Sequence, residues 1–315
     1  MIFERDLTSF LKSRERPGPS PVRYRGLRPP GSERATLKGE LHVREPMEPD
    51  KRVAVVTGAS SGFGKATASL LAARGFRVFG TSRTPRADRG DGFEMLELDV
   101  DSDVSVYRCV KTIQERAGAV DVLVNNAGQV LTGSIEETST EEAKAHFETN
   151  FFGAVRMTRA VLPSMRQRQR GCIVNVGSIA GAIPVPFEGF YAAAKAALLA
   201  YSRALRLEVA RFNIHVSVVE PGFFKTNLGN ARKRAANPLD AYAGAEERAV
   251  GRLQEHIDDG ADPRIVAETI VGIVESPSPR LRYPVGKERR YLFLEKITPA
   301  GRFEAGLRRH WKLDR

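Results

Sequence analysis

The segment that most restricts the fold is Thr57-Gly58-Ala59-Ser60-Ser61-Gly62-Phe63-Gly64, which joins a valine-rich apolar run at 52–57 directly to a helical pattern starting at Gly62. A chain that leaves a buried strand and enters a helix within so few residues needs positive φ and close backbone approach, and glycine supplies both without steric cost. The helix then begins with free amide groups and the positive end of its dipole facing the turn, an arrangement suited to a pyrophosphate. The spacing, Gly58-x-x-x-Gly62-x-Gly64, differs from the commoner Gly-x-Gly-x-x-Gly. Strand, turn and helix in this order are the context that gives a glycine pattern meaning.

The same alternation continues along the chain. Short apolar runs at 77–82, 93–98, 120–125, 172–176, 215–219 and 280–285 alternate with helical patterns at 62–74, 103–117, 141–168, 189–210 and 263–275. Crossovers of this length return a chain to a parallel neighbour. The expectation is therefore one α/β domain at 51–285, Rossmann-like and doubly wound, with a seven-stranded parallel sheet covered by helices on both faces. The polar, irregular and partly helical segment 226–262 follows the sixth strand at the carboxyl edge, where open α/β sheets bind ligands, and is read as a lid. Residues 1–50 hold seven of the 18 prolines and no sustained apolar period, so a disordered extension is expected there, with Met47 as a candidate start of the compact product.

Composition narrows the partners. No apolar run reaches the length of a spanning helix, and Glu4 and Asp6 stand where a leader would be apolar, so a cytoplasmic protein is expected. Cys109, Cys172 and the five histidines match no metal spacing, and neither a metal nor a disulfide is expected. The net charge of +11 is concentrated at the end, where 280–315 hold 11 Lys/Arg against 4 Asp/Glu. No recognition motif accompanies that charge, so nucleic acid is not an expected partner. The tail 286–315 mixes Tyr291, Phe293, Leu294, Ile297, Leu307 and Trp311 with basic residues, as a basic amphipathic helix does. It is read first as a cover for a pocket or a dimer contact, with peripheral membrane contact as the less favoured alternative.

Several residues bear on chemistry. An acidic residue about 20 positions beyond such a glycine turn would bond the ribose hydroxyls of NAD. Ser82 and Arg83 stand there instead, leaving no carboxylate to repel a 2′-phosphate and offering a guanidinium, so NADP(H) is expected. A solvated loop arginine is the alternative. Asp99 ends the third strand, placed either to accept from an adenine amino group or to serve the following turn. Asn125 to Gly128 end the fourth strand with residues that permit close approach of a cofactor or a plain turn. Tyr191 and Lys195 are four apart on a predicted helix and share a face, so the ammonium would draw the phenol down from its usual value of about 10. Ser178, just past the fifth strand, can bond a substrate oxygen, and Asn150 can hold a water that relays protons to Lys195. Singly, these residues also suit a surface pair, a helix cap and a local bend.

As a set, the Thr57–Gly64 turn, Asn125–Gly128, Ser178, and Tyr191 with Lys195 resemble the short-chain dehydrogenase/reductase family over 51–285. Phe63 departs from the family only in replacing a residue that is often smaller. The resemblance implies a catalytic tetrad of Asn150, Ser178, Tyr191 and Lys195. It implies a cofactor seat of Gly58, Ser60, Ser61, Gly62, Phe63, Gly64, Ser82, Arg83, Asp99, Val100, Asn126, Ala127 and Gly128. Tyr191 and Lys195 join that seat, and Pro221, Gly222, Phe223 and Thr226 close it after the sixth strand. Thr81-Ser82-Arg83 and the apolar Val219–Phe224 are similar to an NADP(H)-using branch with hydroxysteroid- and retinol-dehydrogenase-like members. The implied activity is reversible hydride transfer between nicotinamide and a carbonyl or alcohol carbon, with Tyr191 moving the proton. Ile183, Val185, Phe187, Phe190 and Phe224 are the expected substrate pocket, suited to a lipophilic ketone, secondary alcohol or long-chain aldehyde. Arg232, Lys233 and Arg234 on the lid are placed for an acidic group. The alternatives are a β-ketoacyl-type reductase and a non-catalytic NADP(H)-binding sensor. The family further implies a homodimer or homotetramer built on the helices after the fourth and fifth strands.

Overall fold

The structure, a computed structural model, describes residues 51–85, 92–226 and 232–314. The expected disordered extension, 1–50, lies outside the described residues.

In chain order the strands are β1 (Val53–Val56), β2 (Arg77–Ser82), β3 (Glu94–Glu97), β4 (Val122–Asn125), β5 (Leu131–Thr132), β6 (Gly171–Val176), β7 (Ile214–Pro221), β8 (Lys233–Arg234) and β9 (Arg282–Val285). Seven of them form one parallel sheet in the order β3-β2-β1-β4-β6-β7-β9. The helices are α1 (Gly62–Ala73), α2 (Asp103–Ala117), α3 (Thr140–Phe147), α4 (Gly153–Gln167), α5 (Gly189–Val209), α6 (Asp240–Asp258), α7 (Arg264–Glu275), α8 (Arg289–Ile297) and α9 (Ala300–His310).

Successive strand residues point to opposite faces, and both faces are buried, which is why these strands read as continuous apolar runs rather than alternating ones. Ala54, Val56, Val122, Val124 and Val174 pack with Ala68 and Leu71 of α1 and Val266 and Ile270 of α7. Val53, Val55, Leu123, Ile173 and Val216 pack with Val106 and Ile113 of α2, Met157 and Val161 of α4 and Leu205 of α5. The strand order reverses between β1 and β4, so a crevice opens at their carboxyl ends, where the glycine turn lies. Asp121 fastens the opposite end of the same strands, its carboxylate accepting from the Val53 amide at 2.9 Å.

Three features differ from the sequence reading. The helix expected at 141–168 is interrupted by a π-helical turn at Glu148–Phe152 between α3 and α4, with Asn150 at its centre. β5 and β8 form a short parallel pair, Leu131 beside Lys233 and Thr132 beside Arg234, that ties the lid segment to the loop after β4. The tail folds as two helices, α8 and α9, where a single amphipathic helix was expected, and Leu307, Trp311 and Leu313 pack with Val185, Phe223 and Leu253. Among the described residues no helix is long and apolar enough to cross a membrane. Cys109 and Cys172 are free and buried, and burial pushes both thiols up to about 11.

Candidate active site

A cavity of about 460 Å³ reaches from the glycine turn to the tail. Gly58 and Gly62 hold φ of +66° and +55°, the left-handed region where a side chain is strained. A Cβ on Gly58 would also lie 2.9 Å from the Ala127 Cα. The turn is braced from the next strand: the Asn126 Nδ2 donates to the Thr57 carbonyl at 2.8 Å and the Gly58 carbonyl at 3.1 Å. The Asn126 and Ala127 amides in turn donate to the Thr57 Oγ1, each at 2.9 Å. Ser61, at the N-cap of α1, makes no side-chain cap, which leaves the first amides of that helix for a ligand.

Gly58, Ser60, Ser61, Gly62, Phe63, Ser82, Arg83, Asp99, Val100, Asn126, Ala127 and Gly128 all line the cavity. Gly64 does not. A Cβ there would collide with the Gly58 carbonyl, so this glycine seats α1 against the turn and stands behind the cavity. Asp99 lines the cavity, and its Oδ1 accepts the Asp101 amide at 3.1 Å in a local turn. Among the described residues the buried Ser82 Oγ has no hydrogen-bond partner. An unpartnered hydroxyl, an uncapped helix start and a glycine turn that leaves the backbone bare together fit a dinucleotide whose phosphates and ribose supply the missing partners.

The tetrad residues converge on the same cavity. Lys195 is buried on α5, and its Nζ donates to the Val176 carbonyl at the end of β6 at 2.9 Å. Ser178 follows β6 and caps the 3₁₀ turn Ile179–Gly181, its Oγ accepting the Ala180 amide at 3.1 Å, while its hydroxyl also hydrogen-bonds Tyr191. Asn150 is fixed within the π-helical turn: its Nδ2 donates to the Gln129 carbonyl at 3.0 Å and the His146 carbonyl at 3.1 Å. Irregular turns of this kind favour functional positions because they free a side chain from the regular helical face. A Cβ on Gly128 would lie 2.9 Å from the Asn150 Oδ1 and 3.7 Å from the Lys195 Nζ, so the missing side chain opens the space that both groups face.

The acid–base character departs from the sequence expectation. Burial, then the negative charge of Glu188, push the Tyr191 phenol up to about 12 against the opposing Ser178 hydrogen bond, and burial brings Lys195 down to about 8. The ammonium was expected to draw the phenol down. Instead it bonds a carbonyl, and desolvation, which favours the neutral form of each group, dominates both.

Three residues that the sequence did not single out complete the site. His146 is buried, with its ring edge-to-face with Tyr191 at 6.1 Å, and burial followed by Lys195 and Lys233 pushes it down to about 4, which keeps it neutral. Glu188 lines the cavity and pairs with Arg232 at 3.6 Å. Glu288 is buried at the start of α8 and accepts the Phe223 amide at 3.4 Å, tying the tail to the loop after β7. Helical spacing was the available signal for Glu188, three residues before Tyr191, but a glutamate at a helix start ordinarily reads as a cap.

At the apolar end, Ile183, Val185, Phe223 and Phe224 line the cavity, as do Pro221, Gly222 and Thr226. Phe187 and Phe190 do not. Phe187 sits at φ +61° in a turn where its carbonyl accepts the Gly133 amide at 2.9 Å, and Phe190 directly precedes Tyr191, which turns it about 100° away on the helix. Leu253 and Ile257 of α6 and Tyr291, Leu307, His310 and Trp311 of the tail take their place. Of the three basic lid residues, Arg232 lines the cavity, whereas Lys233 and Arg234 are exposed on β8.

The sequence family described as short chain dehydrogenase matches residues 52–237. Over 244 residues the chain is 40% identical to the 3-ketodihydrosphingosine reductase of Bacteroides thetaiotaomicron, a match covering 77% of this chain and 90% of that protein. It is 35% identical over 253 residues to retinol dehydrogenase 8 of Homo sapiens, covering 73% of this chain and 80% of that one. Among solved structures, a short-chain dehydrogenase from Streptomyces avermitilis superposes with a TM-score of 0.72 at 36% identity, covering 84% of this chain and 98% of that one.

Proposed function

The chain belongs to the short-chain dehydrogenase/reductase family, oxidoreductases that act on CH–OH and keto groups with a nicotinamide cofactor. From that premise we propose an NADP(H)-dependent enzyme that interconverts a carbonyl and an alcohol on a lipophilic substrate. The observation that carries the reading is the convergence of Ser178, Tyr191, Lys195 and Asn150 on one cavity with an apolar far end.

When bound, the nicotinamide supplies or accepts the hydride. In the reductive direction Ser178 and Tyr191 donate hydrogen bonds to the carbonyl oxygen, and Tyr191 delivers the proton. A phenol pushed up to about 12 is fully protonated at neutral pH and is set to donate. Lys195 and Asn150 face the gap beside Gly128, where a water can carry the replacement proton inward. Gly58, Ser60, Ser61 and Gly62 are suited to the pyrophosphate, and the Ser82 hydroxyl with the Arg83 guanidinium to the 2′-phosphate of NADP(H).

The substrate end supports a long apolar molecule. Val185, Phe223, Phe224, Leu253, Leu307 and Trp311 line it, and the two relatives are named for 3-ketodihydrosphingosine and for retinol. In this reading 51–285 carries the catalysis, 226–262 acts as lid and 286–315 as the cover of the pocket. Phe152 and Leu207, 42% and 80% exposed beside α4 and on α5, support a homodimer or homotetramer through those helices. Two buried free thiols suit the reducing cytoplasm.

The test is consumption of NADPH against NADH over long-chain ketones and aldehydes, with Tyr191→Phe as control. Turnover with NADPH that the substitution removes supports the assignment. Tight NADPH binding without turnover in either direction would overturn it in favour of a sensor.

A further inference from the structure

The two tail helices present two different sides. Tyr291 of α8, Leu307 and His310 of α9, and Trp311 line the cavity, and Leu307, Trp311 and Leu313 pack with Val185, Phe223 and Leu253. Phe293 lies two residues beyond Tyr291, about 200° around α8, and is 64% exposed. Ile297, four residues further on and on the same face, is 60% exposed, and Leu294 beside them is 38% exposed. Apolar side chains scattered singly over a surface carry no message, but three large ones grouped within five residues mark a contact surface.

The same helices carry the chain's excess of positive charge. Arg289, Arg290 and Lys296 are exposed on α8, and Arg302 and Arg309 on α9. Among the described residues the side chains of Arg289, Lys296, Arg302 and Arg309 make no hydrogen bond or ion pair. Of the four acids in 280–315, Glu288 is buried and Asp314 pairs with Arg308 at 2.6 Å, which leaves Glu295 and Glu304 exposed among the cations. An apolar strip with unpaired arginine and lysine around it has the chemistry of a bilayer interface, where apolar side chains enter the acyl boundary and cations meet lipid phosphates. A second copy of the chain is the poorer match. Each partner of a stable dimer buries about 800 Å², far more than three side chains offer, and like charges would face each other across the contact. Among the described residues no helix crosses a membrane, so the contact would be peripheral.

We propose that the outer side of α8, with the cations of α8 and α9, docks on an anionic lipid bilayer. Phe293, Leu294 and Ile297 enter the headgroup boundary, and Arg289, Lys296, Arg302 and Arg309 meet lipid phosphates. The inner sides of the same helices wall the apolar end of the cavity, so docking sets that wall beside molecules dissolved in the bilayer. The proposal goes beyond the reductase reading and is judged by binding to lipid, whatever the enzyme turns over.

The test is co-sedimentation of the full chain with vesicles of phosphatidylcholine alone and of phosphatidylcholine with about one third phosphatidylserine. Wild-type protein is expected to bind the anionic vesicles about tenfold or more tighter than the neutral ones, less so as salt is raised. Phe293→Ser with Ile297→Ser should weaken binding to the anionic vesicles about tenfold or more, with Tm within about 2 °C of wild type because both side chains are exposed. Lys296→Glu with Arg302→Glu should remove most of the preference for the anionic lipid. Both variants leave 1–50 intact, so a loss of binding locates the contact on the tail. Absence of binding to either vesicle overturns the proposal. So does binding that the Phe293 and Ile297 substitutions leave unchanged, which would place the contact elsewhere on the chain. A smaller assembly in lipid-free buffer for the Phe293 and Ile297 variant than for wild type, read by sedimentation velocity, would also overturn it, by showing that a second copy covers the patch.

Discussion

The Lys195 ammonium lies 5.6 Å from the centre of the Tyr191 ring and gives its hydrogen bond to the Val176 carbonyl at 2.9 Å, so it flanks the phenol without bonding it. Burial pushes Tyr191 up to about 12 and Lys195 down to about 8, which holds the phenol in its proton-donating form. Tyr191→Phe is expected to lower kcat for ketone reduction by about 10² or more, with NADPH affinity within about threefold of wild type. Reduction should hold its rate between pH 6 and 7.5, while alcohol oxidation, which needs the phenolate, should climb with pH. Initial rates in both directions check this, and an oxidation rate that falls as pH rises would contradict it.

Arg83 sets the cofactor prediction. It lines the cavity beside the unpartnered Ser82 Oγ, at the end of β2 where NAD-binding chains present an acid. On the proposed role of Arg83 at the 2′-phosphate, Arg83→Ala is expected to raise the KM for NADPH by about tenfold or more, with the KM for NADH within about twofold. Ser82→Asp should move the preference toward NADH. Steady-state kinetics with both cofactors measure the ratio directly.

The parts of this molecule that were legible in its sequence are those fixed by local spacing. Valine-rich runs give the sheet because its strands are buried on both faces, and Tyr191 and Lys195 share a helical face because they are four apart. The π-helical turn at Glu148–Phe152 was not legible, since one extra residue in the hydrogen-bond ladder leaves the apolar period nearly intact on either side. Phe190 was misplaced because one residue along a helix is a change of face. Trp311 and the Glu188–Arg232 pair depend on contacts between segments far apart in the chain, which no local pattern encodes. The direction of the Tyr191 shift escaped for a related reason: it follows from burial, a property of the folded cavity and not of the spacing to Lys195.

Trp311 tests the tail as a pocket wall. It is 3% exposed, packs edge-on to Phe223 at 6.3 Å and lines the cavity with Leu307. Removing a buried tryptophan side chain costs about 3–5 kcal/mol where the site cannot collapse. Trp311→Ala is therefore expected to lower Tm by about 5 °C or more and to raise the KM for a long-chain ketone about tenfold, leaving the KM for NADPH near wild type. Equal effects on both KM values would place Trp311 outside substrate binding.

Asp121 and two histidines both lower stability in acid, in windows separable by pH. Burial pushes the Asp121 carboxyl up, but the Val53 amide and the Arg168 and Arg170 guanidiniums more than offset it, so the group lies below its ordinary value. The native state then binds fewer protons than the unfolded chain. The stabilisation is complete above the unfolded pKa of about 3.9 and is lost as pH falls through the lower folded value. His146 and His256 are both pushed down to about 4, first by burial, so between about 6.5 and 4 the unfolded chain takes up protons that the native state refuses, and stability falls across that window too. Thermal melts from pH 7.5 to 3.5 should show a decline beginning near 6.5 and steepening below 4. Asp121→Asn should lower Tm by a few degrees at pH 7 and flatten the lower segment while leaving the upper one, because asparagine keeps the shape but not the charge. If the variant instead loses the slope between 6.5 and 4, the histidines are not its source.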